Sequence, residues 1–366
     1  MVSSSPANAG ALLPHLHEFE FRMITKLKCK LALDAQQDAA SPFLVTFELQ
    51  NAGSEPVYVL RRRTPLEGLR SNCLTVKASG AAVPYDGILV KRGPVQDSEY
   101  ELVAPGKAAT GTVDLSKAYQ VSRPGKYEVD FQGSVKVLTH GEFRAMKRGK
   151  SKGVSHTDVE VRARKRTFRV KGARGRATIG EVNRSSSGEE PSLKKSSKKK
   201  KATPKPPKLV GGTAARKKAV KAAHTAGYKL ITGAISTLAN DADYKEWFGK
   251  HTNGRFKIVK SVYTKSRDGM AGKTFTYKLD GGPDCEPGDV AYTSFGSTTI
   301  WLCSGFWSLL STGTDSQAGT VLHEHTHAAA DTEDYEYGQT DCRKLAKSAP
   351  NKAVDNADNF EYYAGG

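Results

Sequence analysis

Apolar and polar residues alternate along the first part of this chain and change to helical spacing in the last part. Residues 43–49, 57–60, 74–76 and 127–131 are short runs of β-branched and aromatic side chains set between Gly, Pro and Asn. Such runs predict strands with one face toward a core, and residues 161–170 predict a last strand after a basic insertion at 147–152. Their regular spacing predicts an all-β, immunoglobulin-like sandwich over residues 1–171. Residues 214–239 carry Ala, Leu and Ile at helical spacing, and 240–248 predict a second helix with Asn240 or Asp241 as N-cap. A β-ribbon is predicted across 274–277, 290–292 and 299–302. Further helices are predicted from Asp315 or Ser316 to about Ala330, then at 341–349 and 352–363. Residues 209–366 thus read as a mainly α, α+β domain.

Composition separates the two halves. At 366 residues the chain exceeds one typical domain. Its net charge of +18 points toward nucleic acid, but the charge is unevenly placed. From Leu209 onward, 18 Lys and Arg balance 18 Asp and Glu. Much of the excess lies in Lys194, Lys195 and the run Lys198, Lys199, Lys200 and Lys201, followed by Pro204, Pro206 and Pro207. That tract has no apolar surface to bury and predicts a disordered linker over 172–208. Specific nucleic acid binding is therefore not expected, and no segment is long and apolar enough to predict a membrane span.

The chemistry concentrates in His323-Glu324-His325-Thr326-His327. On a helix, residues four apart share a face, so His323 and His327 can direct ring nitrogens at one zinc ion. Glu324 follows a third of a turn on, placed as a base toward water. A catalytic zinc needs three protein ligands and an open position, and the turn after the helix is rich in carboxylates. Asp334 is the choice for the third ligand, with Asp331 and Glu333 as alternatives in the same turn. By helical geometry His325 points away from its neighbours and reads as a supporting or exposed residue. Tyr335 and Tyr362 read as packing residues.

The blocks at 247–249, 301–307, 312–320, 334–339 and 356–362, together with the H-E-x-x-H, resemble the aspzincin metallopeptidases. Within that group the chain is most similar to the peptidyl-Lys metalloendopeptidases, with deuterolysin as a more distant relative. The resemblance implies one Zn2+ held by His323, His327 and Asp334, with Glu324 as general base. It implies that Tyr337 donates a hydrogen bond to the tetrahedral intermediate. It also implies that Asp358 and Glu361, spaced D-x-x-E, bind a substrate lysine, so that cleavage falls on the amino side of lysine. Two departures stand out: Asp331-Thr332 replaces the usual Gly-Thr, and the loop from His327 to Asp334 is slightly short. Residues 51–53, 87–93 and 105–106 resemble the β-sandwich prodomain of bacterial lysine-specific relatives.

Cys285 and Cys303 fall where those relatives carry a disulfide; Cys29 and Cys73 are a second candidate pair, leaving Cys342 odd. A disulfide-bearing hydrolase is expected outside the cytosol. Residues 1–25 show no signal peptide, since Ala11, Leu12 and Leu13 form too short an apolar core. The expected function is a zinc metalloendopeptidase acting on proteins and peptides that contain lysine, made as a proprotein that cuts its own lysine-rich linker. Two rivals are a deuterolysin-like protease without lysine preference and a non-catalytic protein braced by zinc.

Overall fold

A computed structural model describes residues 26–38, 41–121, 123–149, 155–171 and 203–365. The lysine tract expected as linker lies outside the described residues up to position 202.

The N-terminal half is built from sheets. Leu44–Asn51 alternates in burial, with Val45, Phe47 and Leu49 inward, and pairs antiparallel with Leu27–Ala32 and Ala108–Asp114. A five-stranded sheet runs Gln36–Asp38, Arg166–Lys171, Gly125–Asp130, Thr75–Ala78 and Ala81–Ala82. A four-stranded sheet runs Thr157–Arg162, Gln132–Thr139, Val57–Leu60 and Tyr100–Val103. Their inner faces close on one core that includes Phe43, Phe47, Phe131 and Phe168. The single strand expected at 161–170 is instead the ends of two strands in different sheets, because Ala163 leaves one ladder before Arg166 enters the other. A helix, His140–Lys147, leads up to the basic insertion at 147–152 and is started by a capping box between Thr139 and Glu142.

The C-terminal half has a separate core containing Tyr244, Phe248, Tyr263, Tyr277, Phe306 and Phe360. Its helices are Ala214–Thr237, Ala242–Phe248, Asn253–Gly272, Gln317–Ala330, Gln339–Ser348, Pro350–Ala353 and Ala357–Tyr363. Asn253–Gly272 was not legible as a helix. Thr252 caps it, and Val259, Val262, Tyr263, Ser266 and Met270 bury one face. The expected ribbon is a mixed sheet in the order Lys208–Val210, Thr276–Lys278, Thr299–Leu302 and Asp289–Ser294. Its first strands pair in parallel and its last pair is antiparallel. Residues just before it also lie against this half, with Lys205 N donating to Met270 O at 2.8 Å.

The sheet does not end at Asp289–Ser294. Ile88–Arg92, from the N-terminal half, adds to that edge as a fifth, antiparallel strand. Gly93 permits the approach, because a Cβ there would lie 2.9 Å from Gly288 O. The two halves therefore share a sheet at the place where the site lies.

Candidate active site

Gln317–Ala330 is wrapped on nearly every side, with residues 317–328 all buried. Ser316 caps its start, its Oγ accepting from Gly319 N at 3.0 Å. Asp331, in the left-handed region at φ 59°, ends the helix and donates its N–H to His327 O. This conformation suits Asp better than most non-glycine residues and accounts for Asp at a place where Gly is usual.

His323, Glu324 and His327 are each 0% exposed. The two Nε2 atoms face each other at 3.0 Å. Asp334 Oδ1 lies 3.3 Å from His323 Nε2, and Oδ2 lies 3.3 Å from His327 Nε2. The helix and the following turn thus bring the three expected ligands together. Glu333 instead accepts from Asn72 Nδ2 at 2.8 Å, and Asp331 serves as the helix cap. Asn356 holds the turn: its Oδ1 accepts from Tyr335 N at 2.6 Å and Glu336 N at 3.0 Å. Glu333 N also donates to Asp355 O at 2.7 Å.

Each histidine is oriented from its far side. His327 Nδ1 lies 2.6 Å from the Thr332 carbonyl, so Nδ1 donates and the Nε2 lone pair faces inward. His323 Nδ1 lies 2.8 Å from Asp358 Oδ1, an ion-pair contact on the far side of its ring. Neither Asp334 oxygen nor either Glu324 oxygen has a hydrogen-bond partner among the described residues. Four bare, buried carboxylate oxygens beside two ring nitrogens are costly unless a cation joins them. The donor set fits zinc, which takes imidazole nitrogen and carboxylate oxygen in this number.

Electrostatics agree. Burial pushes the Glu324 carboxyl up to about 7, against the pull of His323 and His327. Burial would also raise Asp334, but His327 and His323 hold it well below the usual carboxylate range. Burial and Lys91 oppose charge on His323, yet Asp334 and Asp358 outweigh them and raise it to about 10. Burial holds the Tyr337 hydroxyl protonated, as a donor requires.

Asp358 and Glu361 lie on the helix Ala357–Tyr363 and face the same point. Lys91 of the added strand reaches it, its Nζ 3.0 Å from Asp358 Oδ1 and 2.6 Å from Glu361 Oε2. All three side chains are at most 3% exposed. Burial would discharge Lys91, but the two carboxylates hold it well above its ordinary value. Burial pushes Glu361 up to about 7, while Lys91 and His323 keep Asp358 low against burial. Gly319 makes room for Glu361, since a Cβ there would collide with its carboxylate. Tyr337 donates to the Val90 carbonyl at 2.9 Å, one residue before Lys91.

Other expectations divide. Cys285 and Cys303 are bonded. Cys29 and Cys73 are free thiols, so the second pair is corrected, and Cys342 is free and buried. His325 is a core residue rather than an exposed one. Its Nε2 meets Tyr277 OH at 2.9 Å, and Tyr277 OH also meets His224 Nδ1 at 2.9 Å. Tyr362 does more than pack, donating to Asp315 Oδ1 at 2.7 Å. Residue-level reasoning missed the roles of Lys91, Asp289 and Asn356. For Lys91 the available signal was a strand-like run between Gly87 and Gly93.

Two imidazoles and an unpartnered glutamate on one helix, with a carboxylate from the turn that follows, lie beside a sheet edge paired with the strand Ile88–Arg92, an arrangement that suits a metal-dependent endopeptidase. A family model described as lysine-specific metallo-endopeptidase matches residues 235–365. A peptidyl-Lys metalloendopeptidase of Pleurotus ostreatus is 33% identical over 42% of this chain and 92% of its own length. One from Armillaria mellea is 29% identical over 78% of this chain and 74% of its own. An extracellular protease of Aeromonas hydrophila is 28% identical over 92% of both chains. The chain belongs to the aspzincin metallopeptidases, of the peptidyl-Lys metalloendopeptidase type. Among the described residues no helix is long and apolar enough to cross a membrane.

Proposed function

We propose that this protein is the latent, secreted precursor of an endopeptidase that uses one zinc ion and cuts on the amino side of lysine. The observation that carries this reading is Lys91, seated between Asp358 and Glu361 while the Val90 carbonyl accepts from Tyr337. The chain's own Val90–Lys91 bond thus has a lysine on its carboxyl side and an activating donor on its carbonyl. In this reading His323, His327 and Asp334 hold the ion, and residues 1–171 act as an immunoglobulin-like prodomain. The extended strand Ile88–Arg92 is an occupant that excludes substrate.

When bound, zinc supplies a Lewis acid that makes water nucleophilic near neutral pH and polarises the scissile carbonyl. Glu324 takes the proton of the attacking water and delivers it to the leaving amine. Tyr337 donates to the carbonyl oxygen as charge develops there. Asp358 and Glu361 fix the lysine ammonium, and edge strand Asp289–Ser294 fixes the peptide backbone. The catalytic part is released when the tract at 194–201 is cut before one of its lysines.

Digestion of a denatured protein tests the specificity. New N-termini beginning with lysine are expected; termini spread over many residue types would favour a relative without lysine preference, and no termini a zinc-braced binding protein. A second measurement tests the metal. Histidine ligates only as the neutral imidazole and aspartate only as the carboxylate, so protons compete with the metal for His323, His327 and Asp334. Calorimetry of zinc binding across pH is expected to show affinity weakening as pH falls. Affinity unchanged from about pH 8 to about pH 5 would contradict the ligand set.

A further inference from the structure

We propose that Asp289, with Glu286 beside it, forms a subsite that selects arginine or lysine as the residue following the substrate lysine. This rests on the reading of Lys91 as occupant of the substrate lysine's place. With Lys91 there, Arg92 takes the next position, and the strand register sets it opposite Asp289. Arg92 Nη1 donates to Asp289 Oδ1 at 2.8 Å, and its Nη2 donates to Glu67 Oε2 at 2.7 Å. Glu67 belongs to the N-terminal half and leaves with it. Asp289 belongs to the edge strand of the catalytic sheet and stays.

Asp289 has a side chain only 1% exposed. Its Oδ2 accepts from Glu286 N at 2.7 Å and from Arg70 Nη2. Among the described residues its ion-pair partners are Arg70 and Arg92, both from the N-terminal half. Arg70 also reaches the Asp284 carbonyl at 2.8 Å and the Glu286 carboxylate at 3.2 Å. Residues 284–289 therefore form an acidic lip, pinned by the Cys285–Cys303 disulfide, that two guanidinium groups occupy in the latent protein. Once those groups are gone, the carboxylate keeps one backbone donor and faces the position after the bound lysine. A carboxylate left without its guanidinium partners favours a cation there, with arginine matching it as a fork and lysine as a point charge. The lysine runs at 194–195 and 198–201 offer such a pairing.

A carboxylate that merely held the turn through Glu286 N would leave substrate choice untouched, and this separates the two roles. The test begins from the full chain, opened by its own processing or by limited trypsin treatment that is then blocked. Three peptides are compared that differ only in the residue after lysine: arginine, alanine or glutamate. The order of kcat/KM is expected to be arginine, alanine, glutamate, with about a tenfold step from alanine to arginine. That step shrinks as salt rises from about 0.05 to about 0.5 M. In Asp289→Asn the arginine-to-alanine ratio falls toward one, and in the more exposed Glu286→Gln it falls less. Equal rates for the three peptides with the wild-type enzyme overturn the subsite and leave the lysine reading intact. Cleavage away from lysine overturns both. Because the wild-type profile and its salt dependence need no variant, misfolding of Asp289→Asn does not spare the proposal.

Discussion

Glu324→Gln is expected to lower kcat/KM on lysine peptides by roughly 10²- to 10⁴-fold while leaving zinc content unchanged, the range that loss of a positioned base produces. Glutamine keeps the volume of a side chain that is 0% exposed, so packing on the helix Gln317–Ala330 is retained. The metal ligands are also untouched, because neither Glu324 oxygen is bonded to them. What disappears is the ability to accept a proton. The pH profile carries the same information. Burial pushes the Glu324 carboxyl up to about 7, and an adjoining cation pulls it back. Glu324 works only when deprotonated, so kcat/KM rises with pH, with an acid limb between the free carboxylate value of about 4.3 and that upper limit. Steady-state kinetics across pH, with metal analysis of both proteins, would check this. Glu324→Gln with near-normal activity would remove it from the mechanism.

Lys91→Ala in the full chain is expected to turn a silent precursor into one that cleaves lysine peptides before it is processed. Asp358 and Glu361 are at most 2% exposed and have Lys91 as their ion-pair partner from the N-terminal half. Removing one partner of such a buried group costs about 3–5 kcal/mol, because the remaining charge has no solvent to turn to. The strand Ile88–Arg92 would retain its backbone ladder and the Arg92 contacts, so the halves loosen rather than fall apart. Weakening of the added strand by more than about 10²-fold follows from that energy. Initial rates on freshly purified full-length protein, monitored by mass to exclude processed material, would measure it. A Lys91→Ala chain as silent as wild type would show that latency lies elsewhere.

The sequence was most legible where contacts are short in range. The pair His323 and His327, Glu324 and the cap at Ser316 follow from helical period and local hydrogen bonding. Asp334 lies only seven residues beyond His327, so a turn could be argued to return it to the metal. The residues that hold this turn were not readable: Asn356 acts from 20–21 residues away. Lys91 meets Asp358 across 267 residues, and Arg92 meets Asp289 across 197. No periodicity carries such pairings; they come from a strand of one half completing the sheet of the other. Asn253–Gly272 was missed for a related reason. Its glycines and β-branched residues weaken local propensity, and burial against the helix Gln317–Ala330 overrides them. For His325 helical geometry gave the direction, away from His323 and His327, but left open whether the ring is exposed; Tyr277 and Phe275 bury it.

In the proposed reading a metal and a lysine meet between two adjacent helices, Gln317–Ala330 and Ala357–Tyr363. Anomalous diffraction at the zinc edge, from crystals of the full-length Glu324→Ala protein grown with zinc, tests it most directly. One peak is predicted among His323, His327 and Asp334, with the Lys91 side chain between Asp358 and Glu361. A peak elsewhere, or a strand 88–92 lying outside the cleft, would contradict this arrangement.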